Sequence, residues 1–273
     1  FTSNLDRQKD VVLFITQTRI WQISVSRQPV YLIFVFPLRF LQTMFPAPYT
    51  GQILQRYALP YKGKQQILLL DDLVHELAHA FEMPGEFDAK AFDYFPIEFI
   101  IDYIRRTHRL YLLRKLPEME QSIHLLMQDY TDDHPLLCIL HDFYCDYKKD
   151  LSHHILEEEQ QLLPYVDFLL DTEENGLDTS TFYRRTSDYS LDTFAHDHHD
   201  DTEKDLHQIR ETILCHEPPA TNATPYRILV QQLQNFERDL TVHRLIEDHV
   251  LIPRMKKVED VLNAEFLRRV KGN

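Results

Sequence analysis

Two patterns of histidine and glutamate in this chain have the spacing of metal ligands. The first is the stretch His75-Glu76-Leu77-Ala78-His79, an H-E-x-x-H pattern. On a helix this spacing presents two imidazoles to one zinc ion and leaves the glutamate as a general base. The pattern therefore raises the hypothesis of a zinc metalloprotease. Such a site needs a third ligand, for which Glu98 is the candidate.

The second pattern occurs twice. HILEEEQQLLP begins at His154 and HRLIEDHVLIP begins at His243, and each has a glutamate four residues later and a proline ten residues later. Residues four apart lie on one face of a helix, about 6 Å apart along its axis. The pairs His154–Glu158 and His243–Glu247, which lie 89 residues apart, could therefore bind one metal ion or two adjacent ions.

Two further histidines have a similar separation. His108 and His199 lie 91 residues apart, each on a predicted helix that precedes a histidine–glutamate pair. The chain thus contains two copies of a helix hairpin, each with three candidate ligands. We choose His154 with Glu158 because only this register keeps the same distance to proline in both copies, and His199 because it lies on an apolar stripe. The neighbouring alternatives are His153 with Glu157, and His196 or His198.

Four amphipathic helices must position these ligands, because apolar residues recur there every three or four positions. Only 5 glycines and an aromatic content of 12% also favour packed helices. The prediction is an all-α fold with an antiparallel four-helix bundle, in which residues 171–187 form a polar linker. Six nitrogen and oxygen donors in its core suit a pair of first-row metals such as iron. The stripes run through Ile97, Ile101, Ile104, His108 and Leu112; Leu140, Tyr144, Tyr147, Leu151, His154, Glu158 and Leu162; Phe194, His199, Thr202, Leu206, Ile209 and Ile213; and Leu229, Leu233, Phe236, Leu240, His243, Glu247 and Val250.

Composition narrows the class of partner. The formal net charge is −14, which argues against a nucleic-acid surface because phosphates need a basic face. The three cysteines are few and odd in number, which is typical of reduced thiols in a cytoplasm. The most apolar stretch, Val30 to Phe45, is interrupted by Pro37 and Arg39 and is shorter than the roughly 18–20 residues of a membrane span. We therefore expect a cytoplasmic protein that binds neither nucleic acid nor membranes.

Four motifs together resemble the hemerythrin-like di-iron proteins, and more specifically the iron–sulfur cluster repair family, also called repair of iron centres. They are YIRRTHRLYLLRKLPEME, HHILEEEQQLLP, HDDTEKDL and HRLIEDHVLIP, and they cover roughly residues 95–255. The resemblance implies two non-haem iron ions joined by oxo and carboxylate bridges. Glu158 and Glu247 would be the bridging carboxylates. The implied ligands are His108, His154, Glu158, His199, His243 and Glu247.

The same resemblance implies a function. Proteins of this family are implicated in repairing iron–sulfur clusters damaged by oxidative or nitrosative stress, by donating iron rather than by conventional enzymatic turnover. The implied partners are damaged iron–sulfur proteins, and the family also allows a homodimer. A hemerythrin-like protein that binds or senses oxygen or nitric oxide is the alternative, because it would use the same site. The zinc metalloprotease is a minor third hypothesis.

Two regions depart from the family pattern. The first-helix histidine is often doubled in the family, whereas Arg109 follows His108 here. The family also often has a Tyr-Cys-Cys-Gly-Gly-Lys-Gln-like stretch, whereas RYALPYKGKQ (Arg56 to Gln65) has no cysteine. We expect a small, mostly helical N-terminal domain over residues 1–90, with residues 1–48 unassigned, followed by the di-iron bundle over residues 91–273. In the small domain, the histidines of VHELAHAF lie on the polar face of a helix.

Overall fold

The computed structural model describes residues 23–25, 28–30, 49–58, 70–129, 135–197, 202–215 and 223–272. These residues are almost entirely helical, and they belong to two compact units, Phe1–His79 and Ala80–Asn273. The all-α prediction is therefore confirmed at the level of fold class, apart from one short strand pair. None of the described helices combines the length and the apolar character that crossing a bilayer requires.

The first unit contains a two-stranded antiparallel pairing and the start of the helical sequence. Strands β1 (Ile23–Val25) and β2 (Gln28–Val30) pair with Ile23 opposite Val30. Helix α1 spans Thr50–Ala58, and helix α2, at Leu70–Glu82, continues into the second unit. The inward stripe predicted for α2 is confirmed, because Leu73, Leu77 and Phe81 are fully buried.

The second unit opens with two short 3-10 turns, Pro84–Glu86 and Ala89–Phe92. Regular α-helices follow along the rest of the described chain. They are α3 (Ile97–Leu110), α4 (Leu116–Asp129), α5 (Pro135–Glu157), α6 (Leu163–Asn175), α7 (Thr179–Asp188), α8 (Leu191–Asp197), α9 (Thr202–Leu214), α10 (Thr224–Ile246) and α11 (Ile252–Lys271).

Three pairs of these helices are joined without a break by a single π turn. The turns are Tyr111–Lys115 between α3 and α4, Glu158–Leu162 between α5 and α6, and Glu247–Leu251 between α10 and α11. In each turn the carbonyl of the first residue accepts a hydrogen bond from the backbone N–H of the residue five positions later. The residue after that donor is a proline in all three turns. Proline cannot donate and crowds the carbonyl four residues back. The wider turn relieves this clash, so the helix continues instead of ending.

The core of the bundle is built from the predicted apolar stripes. Four helices contact each other in cyclic order, with α4 on α5, α5 on α9, α9 on α10, and α10 on α4. Their shared cluster includes Tyr144, Leu206, Leu233 and Phe236, all at most 1% exposed. This arrangement is a helical bundle, as predicted, while the hemerythrin-like arrangement stays a prediction at this point.

Two details of the predicted helices are wrong. Leu112 was expected on the inward stripe, but it is exposed and Tyr111 is buried instead, because the π turn changes the register after His108. The polar linker predicted at residues 171–187 is mostly helical, since α6 runs to Asn175 and α7 begins at Thr179. The side chain of Asp178 accepts a hydrogen bond from the backbone N–H of Thr181 and so caps α7.

Candidate metal centre

One group of three buried ligand-type side chains converges in the described part of the second unit. His108 comes from the end of α3, Glu158 from the first position of the second π turn, and His243 from the end of α10. Their donor atoms all lie within 4.8 Å of one another, and all three residues are buried. We call these three residues the buried cluster. They are far apart in sequence, so the helix packing brings them together.

The carboxylate of Glu158 faces two imidazoles from two different helices. Its Oε2 lies 2.8 Å from Nε2 of His108, and its Oε1 lies 2.9 Å from Nε2 of His154, one turn earlier on α5. Glu158 and His108 are almost fully buried, whereas His154 is partly exposed. The two oxygens of this single buried carboxylate are thus each directed to a different imidazole.

The second histidine–glutamate pair lies next to the first. Nε2 of His243 is 3.6 Å from Oε2 of Glu247, and both side chains are buried. The rings of His243 and His108 approach edge to face with their centroids 5.0 Å apart. Four of the predicted ligand side chains are therefore buried at neighbouring positions of three helices, with His154 at their edge.

The donor atoms of the cluster suit a metal ion. Burial of carboxylates is costly unless a cation or hydrogen-bond donors compensate for it. The imidazole of His108 provides part of that compensation, since its Nε2 lies 2.8 Å from Oε2 of Glu158. Imidazole and carboxylate donors are those that first-row metals such as iron accept. The residues present therefore suit the metal that the sequence predicts.

Glu159 is an additional residue of the site that sequence reasoning missed. Its Oε1 lies 2.7 Å from Nδ1 of His108, so it accepts a hydrogen bond from the ring nitrogen that faces away from Glu158. Burial opposes protonation of His108, but the carboxylates of Glu158 and Glu159 outweigh it and raise the pKa of His108 to about 9. Metal-binding histidines commonly donate their second ring N–H to such a carboxylate, which fixes the ring orientation.

Tyr111 and Asp239 were missed as well. The Tyr111 hydroxyl donates a 2.7 Å hydrogen bond to Oδ1 of Asp239, which is fully buried one helical turn before His243. The Tyr111 ring also lies against His243, with centroids 5.8 Å apart. Tyr111 begins the first π turn as Glu158 and Glu247 begin the other two. The signal that could have found it is the proline six residues later, which all three positions share.

The structure separates the two registers proposed for the second helix. Side chains of His153 and Glu157 are 71% and 51% exposed, whereas those of His154 and Glu158 are 17% and 1% exposed. The spacing of ten residues from histidine to proline, which both copies share, therefore identified the buried pair, His154 and Glu158. His199, the predicted ligand of the third helix, lies outside the described residues.

The H-E-x-x-H stretch has different surroundings. His75 and His79 are exposed and Glu76 is half-buried, in keeping with a polar helix face. Within the described ranges, no third ligand-type side chain converges with His75 and His79. Glu98, the suggested third ligand, is exposed. The geometry therefore favours the buried cluster over this stretch as the metal site.

Comparison with known proteins points in the same direction. No family model matches the chain. The chain is 23% identical to iron-sulfur cluster repair protein ScdA of Staphylococcus haemolyticus over 154 aligned residues. These residues are 56% of this chain and 64% of that protein. The identity to iron-sulfur cluster repair protein ScdA of Staphylococcus epidermidis is also 23%, over 186 residues, or 68% of this chain and 78% of that protein. The chain is similar to iron–sulfur cluster repair proteins. It spans less than two thirds of the first relative and more than three quarters of the second.

Proposed function

We propose that this protein binds two non-haem iron ions in a hemerythrin-like four-helix bundle and takes part in the repair of damaged iron–sulfur clusters. The observation that carries the proposal is the Glu158 carboxylate, whose two oxygens face His108 and His154 at 2.8 and 2.9 Å in a buried site. The names of the similar proteins supply the repair function. In this proposal residues 91–273 form the iron-binding domain.

The proposed ligands divide between the two ions through the carboxylates. The residues that would hold the ions are the carboxylates of Glu158 and Glu247 and the imidazoles of His108, His154, His199 and His243. An iron pair held in this way supplies one-electron redox chemistry and exchangeable coordination positions. The protein's own contribution is to orient His108 through Glu159 and to exclude water from the buried carboxylates.

Iron donation requires that the site also release its ion, and His108 provides a proton-linked route. In the metal-free site the pKa of His108 is raised to about 9, so its imidazole is protonated at neutral pH. A metal ligand must be deprotonated, so binding releases this proton and ion release takes it up. Damaged iron–sulfur proteins are the recipients that the proposal implies.

Metal analysis tests the site directly. We expect two irons per chain in the wild-type protein and loss of both in the double variant His154→Ala, Glu247→Ala. The matched control is His153→Ala, Glu157→Ala, which removes an exposed pair of the same spacing and should keep its iron. One zinc per chain that disappears only with His75→Ala would replace the bundle site with the protease hypothesis.

A second experiment tests the repair function. Iron-loaded protein is incubated with an iron–sulfur enzyme inactivated by nitric oxide, and the recovered activity is compared with that produced by the His154→Ala, Glu247→Ala variant. We expect recovery with the wild type only. Reversible binding of nitric oxide or oxygen without any recovery would reject repair in favour of gas binding or sensing.

A further inference from the structure

A second group of metal-binding side chains lies at the surface where α4 packs on α5. Cys145 follows His141 by one helical turn on α5, and Sγ of Cys145 lies 3.7 Å from Nε2 and 3.8 Å from Nδ1 of His141. The ring of His124, on α4, approaches the ring of His141 with centroids 5.7 Å apart. Two imidazoles and one thiol from two helices are therefore neighbours outside the buried cluster.

Two hydrogen bonds hold α4 against α5 beside these side chains. The hydroxyl of Tyr144, the residue before Cys145, donates to the backbone carbonyl of Leu116 at 2.6 Å. One turn further along α5, Nζ of Lys148 donates to Oε2 of Glu120 at 2.8 Å. Because Tyr144 is also fully buried, the backbone that carries Cys145 is fixed relative to α4. The two helices therefore need not move for the three side chains to meet.

This group is distinct from the buried cluster. Glu158 follows Cys145 by 13 residues, which corresponds to about 20 Å along a helix. The buried cluster offers only imidazoles and a carboxylate, whereas this group includes a thiol. Its members are also accessible, since His124 is exposed and His141 and Cys145 are half-buried. An ion can therefore reach this group from solvent without entering the core of the bundle.

The separation of the thiol and the imidazole matches a zinc site. A tetrahedral zinc ion has Zn–S and Zn–N distances of about 2.3 and 2.0 Å, which place its sulfur and nitrogen ligands about 3.5 Å apart. Sγ of Cys145 and Nε2 of His141 already lie 3.7 Å apart. The ring of His124 is exposed and free to turn towards them. Thiolate and imidazole ligands together favour zinc over the harder cations, which prefer oxygen ligands.

The charges around Cys145 favour a cation as well. Burial raises the pKa of the Cys145 thiol, and the negative charges of Glu120 and Asp142 raise it further. The thiol is therefore protonated in the metal-free protein, and zinc displaces this proton to solvent as the Zn–S bond forms. The opposing cation, Lys148, is paired with Glu120. The carboxylates that disfavour a bare thiolate thus stabilise a thiolate that carries zinc.

We propose that Cys145, His141 and His124 bind one zinc ion at the surface of the bundle. The ligands are the thiolate of Cys145 and one nitrogen of each imidazole, and water fills the fourth position. The ion joins α4 to α5 outside the apolar core. The inference does not rest on the proposed function, because it uses none of the proposed iron ligands.

Titration of the whole chain with cobalt tests this site, because Co(II) replaces zinc in tetrahedral sites and gives a sulfur-to-cobalt charge-transfer band only where a thiolate binds it. We expect this band in the wild type with reduced thiols, and its loss when zinc displaces cobalt. Cys145→Ser should lack the band, and His141→Ala and His124→Ala should each lower the affinity about tenfold or more. Cys215→Ser and His153→Ala are the matched controls, because both side chains are exposed and lie outside the group.

Alkylation of the wild type gives a measurement that does not depend on the folding of a variant. One equivalent of zinc should protect Cys145 from iodoacetamide and leave Cys215 reactive, as measured by mass spectrometry of the cysteine-containing peptides. A wild type without the charge-transfer band, a band that survives Cys145→Ser, or a Cys145 that zinc does not protect would each overturn the assignment. The iron content of the buried cluster does not enter these measurements, so this inference and the proposed function fail separately.

Discussion

Replacement of Glu159 by glutamine tests whether the second carboxylate beside His108 strengthens metal binding. The change keeps the shape of the side chain and an oxygen that can accept from Nδ1 of His108 at about the present 2.7 Å, but it removes the negative charge. Loss of such an outer carboxylate typically lowers metal affinity 10- to 100-fold, or by about 1.4–2.7 kcal/mol. Glu159 is 35% exposed, so solvent screening places the expected effect near the lower end.

The assay is an anaerobic titration with ferrous iron in competition with a chromophoric chelator, at fixed pH and ionic strength. Glu157→Gln is the control, because it removes an equal charge two residues earlier from an exposed side chain next to His153. We expect its affinity to equal that of the wild type. Equal affinities for all three proteins would refute the reasoning, since the negative charge of Glu159 beside His108 would then contribute nothing to metal binding.

Three further predictions concern the same helices. The pKa of His108 is about 9 in the folded, metal-free protein and 6.5 in the unfolded chain. Its contribution to the free energy of unfolding, about 3 kcal/mol, is therefore fully present below pH 6.5 and is lost as the pH rises through 9. Urea unfolding of the metal-free protein at about pH 6 and about pH 9.5 measures this difference. Tyr111→Phe removes the buried hydrogen bond to Asp239 and should lower the free energy of unfolding by about 1–3 kcal/mol, while Tyr94→Phe, at an exposed site, should not. Pro164→Ala leaves the extra residue of the π turn in place but removes the constraint that holds the turn at Glu158–Leu162, so iron affinity should fall about tenfold while the urea midpoint stays the same.

The sequence was sufficient to predict features that repeat along the chain. The distance from Glu158 and Glu247 to a following proline fixed the register of both pairs, and the apolar stripes placed them inside the bundle. It was insufficient for roles that depend on contacts between distant segments. Glu159 stands in a run of three glutamates, and only its 2.7 Å contact with a residue 51 positions away distinguishes it from Glu157. The polar composition of residues 171–187 also hid the helix α7.

The three π turns have a consequence for how this protein can change through evolution. A π turn amounts to one extra residue in a helix, so deletion of one residue between Glu158 and Pro164 would return the backbone to the α-helical register. The proline would then lie in a regular helix, where it costs about 3 kcal/mol. Neither the deletion nor loss of the proline is neutral alone, so the two changes would have to occur together. The glutamate-to-proline interval is therefore a more durable marker for finding related proteins than overall identity.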